Sequence, residues 1–344
     1  MTFRIGKVKF SKSTPTVIIP EIGINHFGSL KIAKKIVDNA IKAGAKIIKT
    51  QTHIPDKEMS SEARFIKPGN SNLNIYTIVK NNSLSLSNEQ KLKNYIESKG
   101  CEYLSTPFCI EAAEFLNEIG IKAFKIGSGE FNNLPLIEKI CSFKKPIILS
   151  TGMNSQNSIL KTVKFLKKYN AKFLLNYCVN LYPTPLKLIN LKEINFLKKI
   201  GYKNLIGYSD HSKGLSASIS SIFQGSLAIE KHFCLSKKRN GPDIECSMDQ
   251  IELSYLIKYS KEIFTLYNNK KNSLNKQKIT SNFAFHSLVA TRDLPKGKII
   301  NKEDINIKRP GTGDFKANDF KNLINKRLKL KIKQNTQFKY EHFK

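Results

Sequence analysis

No stretch of this chain approaches the roughly 18 to 20 consecutive apolar residues that a membrane-spanning helix needs. That argues against a helical membrane protein. The segment from Met1 to Ser13 is basic but lacks the apolar core of about 7–15 residues that a secretory signal carries. Together these absences lead us to expect a cytoplasmic protein. Cysteine is sparse: six residues, at 101, 109, 141, 178, 234 and 246, with no Cys-x-x-Cys pair. A chain this long needs no disulfide staple, so reduced thiols packed in the core are expected. Cys178 and Cys234 fall near expected strand ends and could line a pocket. Acidic residues are also few, 27 against 58 Lys+Arg, for a formal net charge of +31. Such an excess can mark a nucleic-acid or membrane-surface binder. Here no RNA-recognition motif, zinc finger or aromatic-basic interleaving accompanies it. The lysines instead scatter over helix faces, as at Lys31, Lys34, Lys35 and Lys161, Lys164, Lys167, Lys168. A chain-wide bias toward Lys, Asn and Ile accounts for them, and neither a nucleic-acid nor a membrane partner is expected. A basic binding protein remains the rival from a different class, resting on net charge alone. The field would draw in an anionic substrate.

What is present is a rhythm. Eight short apolar runs between residues 16 and 232 nearly all lead into polar residues of catalytic type. Val17-Ile18-Ile19-Pro20 leads to Glu21, and Ala45 to Ile48 leads to Lys49 and Gln51. Tyr103-Leu104 leads to Ser105-Thr106, and Ala123-Phe124 to Lys125, Ser128 and Glu130. Ile147 to Leu149 leads to Ser150, and Phe173 to Leu175 to Asn176, Asn180 and Tyr182. Leu205-Ile206 leads to Ser209-Asp210-His211, and Leu227 to Ile229 to Glu230 and His232. Helical signals lie between the runs. Residues 29–43 carry apolar positions at spacings of three and four, with Ser29 as N-cap and Gly44 as stop. Ser87 with Gln90 fits a capping box, and Ser155 can cap a helix bearing Ile159, Val163 and Leu166. Strands alternating with helices imply a parallel sheet. Eight units suit closure into a (β/α)8 TIM barrel, whose C-terminal strand ends converge on one active-site rim. An open doubly wound sheet is the runner-up, but no Gly-x-Gly-x-x-Gly turn is found.

Two segments break the rhythm. Residues 53–83, polar and long, read as a loop that covers or shapes the pocket. Residues 267–281, polar and basic, read as a linker. The expected organisation is therefore a barrel at 1–266, the linker at 267–281 and a small mixed domain at 282–344. At about 60 residues that last domain would be marginal alone and would lean on a barrel, its own or a partner's.

The rim would hold three groups of chemistry. His211 and His232 follow consecutive strands about 4.8 Å apart, so they can share one cation, with Asp210 and Glu230 beside them as supporting partners. Imidazole nitrogens suit Mn, Zn, Fe or Co. Each histidine alone would read equally well as a satisfied structural residue. Lys49 and Lys125 end two other strands, and Ser128, Gly129 and Ser150-Thr151-Gly152 add donors suited to a phosphate. Glu21, Glu130 and Gln51 could bind sugar hydroxyls or shuttle protons, or simply cap helices and pair with Lys49.

Ten motifs in register carry a resemblance. They are Ile19-Pro-Glu-Ile-Gly-Ile-Asn-His26, Lys49-Thr-Gln-Thr-His53, Ser105-Thr-Pro-Phe108, Lys125-Ile-Gly-Ser-Gly-Glu130 and Ser150-Thr-Gly-Met153. Asn180-Leu-Tyr-Pro-Thr-Pro185, Gly207-Tyr-Ser-Asp-His211, Glu230-Lys-His-Phe233, Gly241-Pro-Asp243 and Lys308-Arg-Pro-Gly311 complete the set. From about residue 15 to the C-terminus the chain resembles the bacterial sialic acid (N-acetylneuraminate) synthases. The resemblance implies a TIM barrel followed by an antifreeze-like, SAF-type domain. It implies condensation of phosphoenolpyruvate with N-acetylmannosamine to give N-acetylneuraminate and phosphate. The alternative it admits is the same chemistry on a diacetamido-dideoxy sugar, giving legionaminic or pseudaminic acid. Lys49, Lys125, Thr106, Ser128, Ser150, Asn180 and Ser209 would hold phosphoenolpyruvate. Glu21, Gln51, Asn70, Glu130, Tyr182 and Asp243 would hold the sugar, with Glu21 or Glu130 handling protons. His211 and His232 would bind a divalent metal, Mn with Mg or Co as alternatives, supported by Gln51 and Glu230. Arg309 would reach the acetamido group from the small domain, which in a homodimer caps the partner's barrel. The chain departs from the pattern at Thr50, Tyr208, Lys231 and residues 176–179. Thr50 and Tyr208 are expected to flank the pocket and bear on sugar choice.

Overall fold

The structure, a computed structural model, describes residues 3–69, 71–268 and 273–343. It divides into two compact units, Met1–Asn268 and Asn269–Lys344. The first opens with a hairpin, β1 (Phe3–Ile5) and β2 (Val8–Phe10), that sequence periodicity did not single out. Eight parallel strands follow: β3 (Val17–Glu21), β4 (Ile47–Thr52), β5 (Glu102–Pro107), β6 (Phe124–Ile126), β7 (Ile147–Ser150), β8 (Phe173–Cys178), β9 (Ile206–Asp210) and β10 (Ala228–His232). They close into a barrel, with β10 pairing to both β9 and β3. The expected TIM barrel is the observed one. Glu21, Lys49 and Gln51 lie within strands rather than beyond them, because a side chain aimed into the lumen leaves the backbone ladder intact.

Period-two alternation sorts each strand into two faces. Outward residues such as Ile18, Ile48, Tyr103, Phe124, Leu149, Phe173 and Ile206 pack into the apolar layer beneath the helices. Inward residues form tiers. The lowest tier, Ile19, Ile47, Leu104, Ala123, Ile148, Leu174 and Ala228, joins Phe3, Ile5 and Phe10 in a separate apolar cluster. The hairpin thus plugs the N-terminal end of the barrel. Two residues further along each strand the lumen turns polar: Glu21, Lys49, Thr106, Lys125, Ser150 and Glu230 are all buried.

The helices form where spacing and caps direct them. Ser29 accepts from the Ile32 amide at the head of Leu30–Lys42, and Gly44 closes it at φ +101°, a left-handed conformation that glycine adopts without strain. Ser155 caps Gln156–Lys168. The expected capping box at Ser87 is displaced: Ser85 is the N-cap of Leu86–Ser98, accepting from Asn88, so Ser87 already lies inside the helix. The expected loop at 53–83 carries helical turns at Pro55–Glu58 and Ser61–Arg64 and a helix at Ile75–Asn82. Ile75–Asn82 buries Tyr76, Ile78 and Val79, which supplies the apolar contact that a polar stretch read by composition hid.

Gln250–Asn268 is one continuous helix, and Ser273–Lys276 and Lys278–Ala284 are helical within and just past the segment read as a linker. The second unit pairs β11 (Ser287–Ala290) with β12 (Ile305–Lys308) around its own core of Leu288, Leu294, Ile300, Phe315, Leu328 and Phe338. Among the described residues no helix is long and apolar enough to cross a membrane.

Candidate active site

The polar tiers enclose a chamber of about 200 Å³ at the C-terminal end of the barrel. Glu21, Lys49, Gln51, Thr106, Lys125, Ser128, Glu130, Ser150, Asn180, Tyr182, Ser209, His211 and His232 all line it, with Phe108, Cys178 and Glu230. Residues two hundred positions apart in sequence meet there because eight strands share one axis.

The two lysines enter from β4 and β6 and converge on one carboxylate. Lys49 pairs with Glu21 and stands 3.8 Å from Glu230 Oε1, while Lys125 lies 3.5 Å from the same oxygen. Lys125 also donates to Ser150 Oγ at 2.8 Å. Burial, opposed in part by Glu230, lowers the Lys49 ammonium to about 7. Burial by itself would raise Glu230, but the Lys125 and Lys49 charges outweigh it and hold the carboxyl below its usual range. Its second oxygen is buried with no hydrogen-bond partner among the described residues. A buried acceptor without a donor is expensive to keep, and its persistence suits a site awaiting a ligand. Glu21 is aimed by its own turn: Gly23 donates its amide to Glu21 Oε1 at 2.7 Å from a φ of +45°.

Opposite the lysines stand the imidazoles, with ring centroids 5.5 Å apart. Tyr182 covers both, at 4.1 Å from His211 and 5.9 Å from His232. Burial and the neighbouring histidine lower His211 to about 4, and burial with the Lys49 charge lowers His232 to about 3. Both rings are therefore neutral at pH 7. His211 Nδ1 lies 2.9 Å from the Val179 carbonyl, which can only accept. The proton thus sits on Nδ1 and leaves the Nε2 lone pair free. His232 Nδ1 has no hydrogen bond among the described residues and faces Asp243 Oδ2 at 3.6 Å. Two neutral imidazoles 5.5 Å apart, beside a carboxylate with one unsatisfied oxygen, fit a divalent metal. No group of three or more His, Cys, Asp or Glu around one point is found among the described residues, so water or substrate would have to complete the shell.

A second cavity of about 430 Å³ adjoins the chamber and shares Gln51, Phe108, Glu130, Tyr182 and His232 with it. Its remaining wall is largely apolar: Ile24, Met59, Pro68, Ile75, Ile78, Val79 and Pro242, with His53, Glu58 and Asp243. Among the described residues no lysine or arginine lines it. Asp243, pushed up to about 6 by burial, belongs to this cavity rather than to the chamber. His53 stacks on Phe108 at 4.1 Å and bridges Glu58 Oε1 at 2.8 Å to Gln51 Oε1 at 3.2 Å. Gln51 is thereby held by His53 at the junction of the two cavities.

Sequence patterns known from other proteins match this architecture unit by unit. The NeuB family pattern matches residues 36–272, and the SAF domain pattern matches residues 285–344. The chain belongs to the NeuB family. Two relatives and one solved structure give the range of the likeness. N,N'-diacetyllegionaminic acid synthase of Campylobacter jejuni is 36% identical over 87% of this chain and 91% of the relative. Pseudaminic acid synthase from the same species is 30% identical over 88% of this chain and 90% of the relative. The crystal structure of the N-acetylneuraminic acid synthetase of Leptospira borgpetersenii with citrate is 30% identical, with a TM-score of 0.73 over 81% of this chain and 95% of that one.

Three expected placements change within this NeuB barrel. Asp210 does not stand beside the imidazoles. It sits on the outward face of β9, where it accepts from Ser212 and Ser218 and pairs with Lys231. Thr50 and Tyr208 do not flank the pocket. Thr50 faces outward to Glu89, Tyr103 and Ser105, and Tyr208 stacks on Tyr177 at 5.7 Å. Each is one residue from an inward-facing neighbour, and a one-residue step reverses the face. Arg309 is exposed in the second unit, and Asn70 lies outside the described residues. Phe108, to which the motif assigns no role, lines both cavities. Its position just past the polar end of β5 was the available signal. The apolar lining from residues 59–79 gave none.

Proposed function

We propose that this NeuB-family protein condenses phosphoenolpyruvate with the open-chain aldehyde of an N-acetylated hexosamine, releasing phosphate. C3 of phosphoenolpyruvate bonds to the aldehyde carbon, water adds at C2, and the C2–O bond to phosphate breaks. The products are a nine-carbon keto acid and phosphate. The observation that carries the reading is the pairing of two buried ammonium groups, Lys49 and Lys125, with two neutral imidazoles across a single 200 Å³ chamber. An anion with both phosphate and carboxylate satisfies the ammoniums, together with the hydroxyls of Thr106, Ser128, Ser150 and Ser209 and the Asn180 amide. Glu21, hydrogen-bonded to Lys49 and aimed by Gly23, is placed to hold or pass a proton at the reacting carbons. Glu130, raised by burial, is the second candidate. A divalent ion on His211 and His232, Mn by preference with Mg or Co as alternatives, would supply Lewis-acid polarisation of the aldehyde oxygen.

For the sugar, the second cavity favours a diacetamido sugar that is also deoxygenated at C6 over N-acetylmannosamine. A wall of Ile24, Met59, Ile75, Ile78 and Val79 suits a methyl group and an additional acetyl better than a hydroxymethyl. With no cation among the described residues of that wall, a phosphorylated sugar would meet Glu58, Glu130 and Asp243 without a counter-charge from them. The test is phosphate release with Mn²⁺, phosphoenolpyruvate and a panel comprising N-acetylmannosamine, its 6-phosphate, and 2,4-diacetamido-2,4,6-trideoxyhexoses. Highest kcat/KM on a trideoxy sugar is expected. Higher kcat/KM on N-acetylmannosamine would reverse the sugar assignment, and silence on the whole panel would overturn the condensation itself. The reading includes a homodimer. Phe65, Ile66, Met153 and Leu181 are large, apolar and exposed in the loops after β4, β7 and β8, as a surface covered by another copy would be. Light scattering at twice the 39.1 kDa chain mass is the expected result.

A further inference from the structure

Directly behind the two imidazoles lies a second charged pair that the chemistry above does not use. Strand β9 places Ser209 and His211 inward and Asp210 outward, and β10 places Glu230 and His232 inward and Lys231 outward. Asp210 and Lys231 are directly opposed in the β9–β10 register, each one residue before a histidine. Both are sealed, at 0% and 1% exposure. Lys231 Nζ lies 3.2 Å from Asp210 Oδ2 and also donates to the Ser212 carbonyl. The rest of the carboxylate is saturated. Ser212 donates its amide at 2.8 Å and its hydroxyl at 2.7 Å, Ser218 Oγ donates at 2.5 Å, and Tyr208 OH at 3.2 Å. These donors come from β9, from the turn after His211 and from the helix Ser216–Phe223, while the lysine comes from β10. One buried cluster therefore grips the backbone on both sides of His211 and immediately before His232. A hydrophobic pair of the same volume would avoid the cost of desolvation but would lack the directional bonds that here tie β9, β10, the turn after His211 and the helix Ser216–Phe223 together.

We propose that Asp210 and Lys231 are positioning residues that set the separation and aim of His211 and His232 for a shared divalent ion. The inference rests on the metal reading above. The test uses the full-length protein, stripped with chelator and titrated with Mn²⁺ by calorimetry and with Co²⁺ by visible absorption. The double variant Asp210→Asn with Lys231→Met removes both charges together, so neither is left buried alone. It is expected to keep the wild-type circular dichroism while binding Mn²⁺ about 10- to 100-fold more weakly and shifting the Co²⁺ bands. Lys231→Arg, which retains charge and donors, is expected to restore affinity to within about threefold of wild type. A role confined to stability would lower the melting temperature of the double variant and leave its ion affinity and Co²⁺ spectrum intact, which would overturn the inference. Should the double variant fail to fold, Ser218→Ala decides. It strands no charge, and a several-fold loss of Mn²⁺ affinity supports the clamp, whereas unchanged affinity overturns it. Wild-type protein that bound neither ion would instead overturn the metal reading, and this inference with it.

Discussion

Two tiers of the same barrel lumen, two residues apart on each strand, obey opposite rules. The lower tier, from Ile19 to Ala228, is apolar and packed against Phe3, Ile5 and Phe10. The upper tier buries Glu21, Lys49, Lys125 and Glu230, and one Glu230 oxygen finds no partner among the described residues. The lower tier gains from removing hydrocarbon from water, at about 1.5–3 kcal/mol for each large side chain. The upper tier works against stability, since burying charges is costly even when they are paired. Strand geometry lets both coexist. The ladder is indifferent to what the side chains carry, so a fold anchored below can hold strained chemistry above.

If that division is real, substitutions in the two tiers should dissociate activity from stability. The largest effect is expected for His232→Ala: phosphate release falls below detection while the melting temperature at pH 7 holds or rises. Unchanged turnover would remove the metal from the reading. Next, Glu21→Gln should lower kcat by roughly 10²- to 10⁴-fold with the fold intact, the range for a lost proton-transfer group. A KM effect alone would assign Glu21 to binding. In the opposite tier, Phe10→Ala should destabilise by about 3–5 kcal/mol in urea unfolding, while the folded fraction retains kcat/KM within about twofold. Loss of activity in proportion to stability in all three variants would erase the distinction between tiers.

The smallest effect is a slope. His26 and His211 are lowered to about 4 and His232 to about 3, in each case mainly by burial. Unfolded, each takes up a proton near 6.5, so the unfolded chain binds more protons as pH falls from 6.5 toward 4. Stability contributed by these groups is full above 6.5 and is lost on acidification. Asp243, raised to about 6, acts in the reverse sense between about 6 and 3.8 and offsets part of the loss. Urea midpoints measured from pH 7 to pH 4 should therefore decline, and His232→Ala should flatten the decline. An unchanged slope in that variant would mean that His232 titrates alike in both states.

The legible and illegible parts of this molecule follow the same divide. The eight strands could be read because each begins with apolar residues that bury both faces, a local signal. The lumen chemistry could be read because Lys49, Lys125, His211 and His232 all occupy the polar ends of those runs. The hairpin at Phe3–Phe10 carries little sequence signal, since its strands are three residues each and Arg4, Lys7 and Lys9 resemble a basic tail. The same holds for the apolar wall of the second cavity. Ile75, Ile78 and Val79 lie in a stretch whose Asn and Ser content reads as loop, and only burial against the barrel rim makes a helix of it. Thr50 and Tyr208, expected beside the pocket, and Asp210, expected beside the imidazoles, all point outward. Motif adjacency places a residue near a strand end, but phase along the strand decides which way it points.

The order of strands, their count and the chemical types at their ends were determined by the sequence itself, because hydrophobic runs, caps and turns act over a few residues. Which side chains look into the lumen, how far apart the two imidazoles stand and what surrounds Glu230 were decided only by closure of the barrel. Closure fixes strand phase and brings distant residues to a common axis, and neither quantity is encoded within any single run.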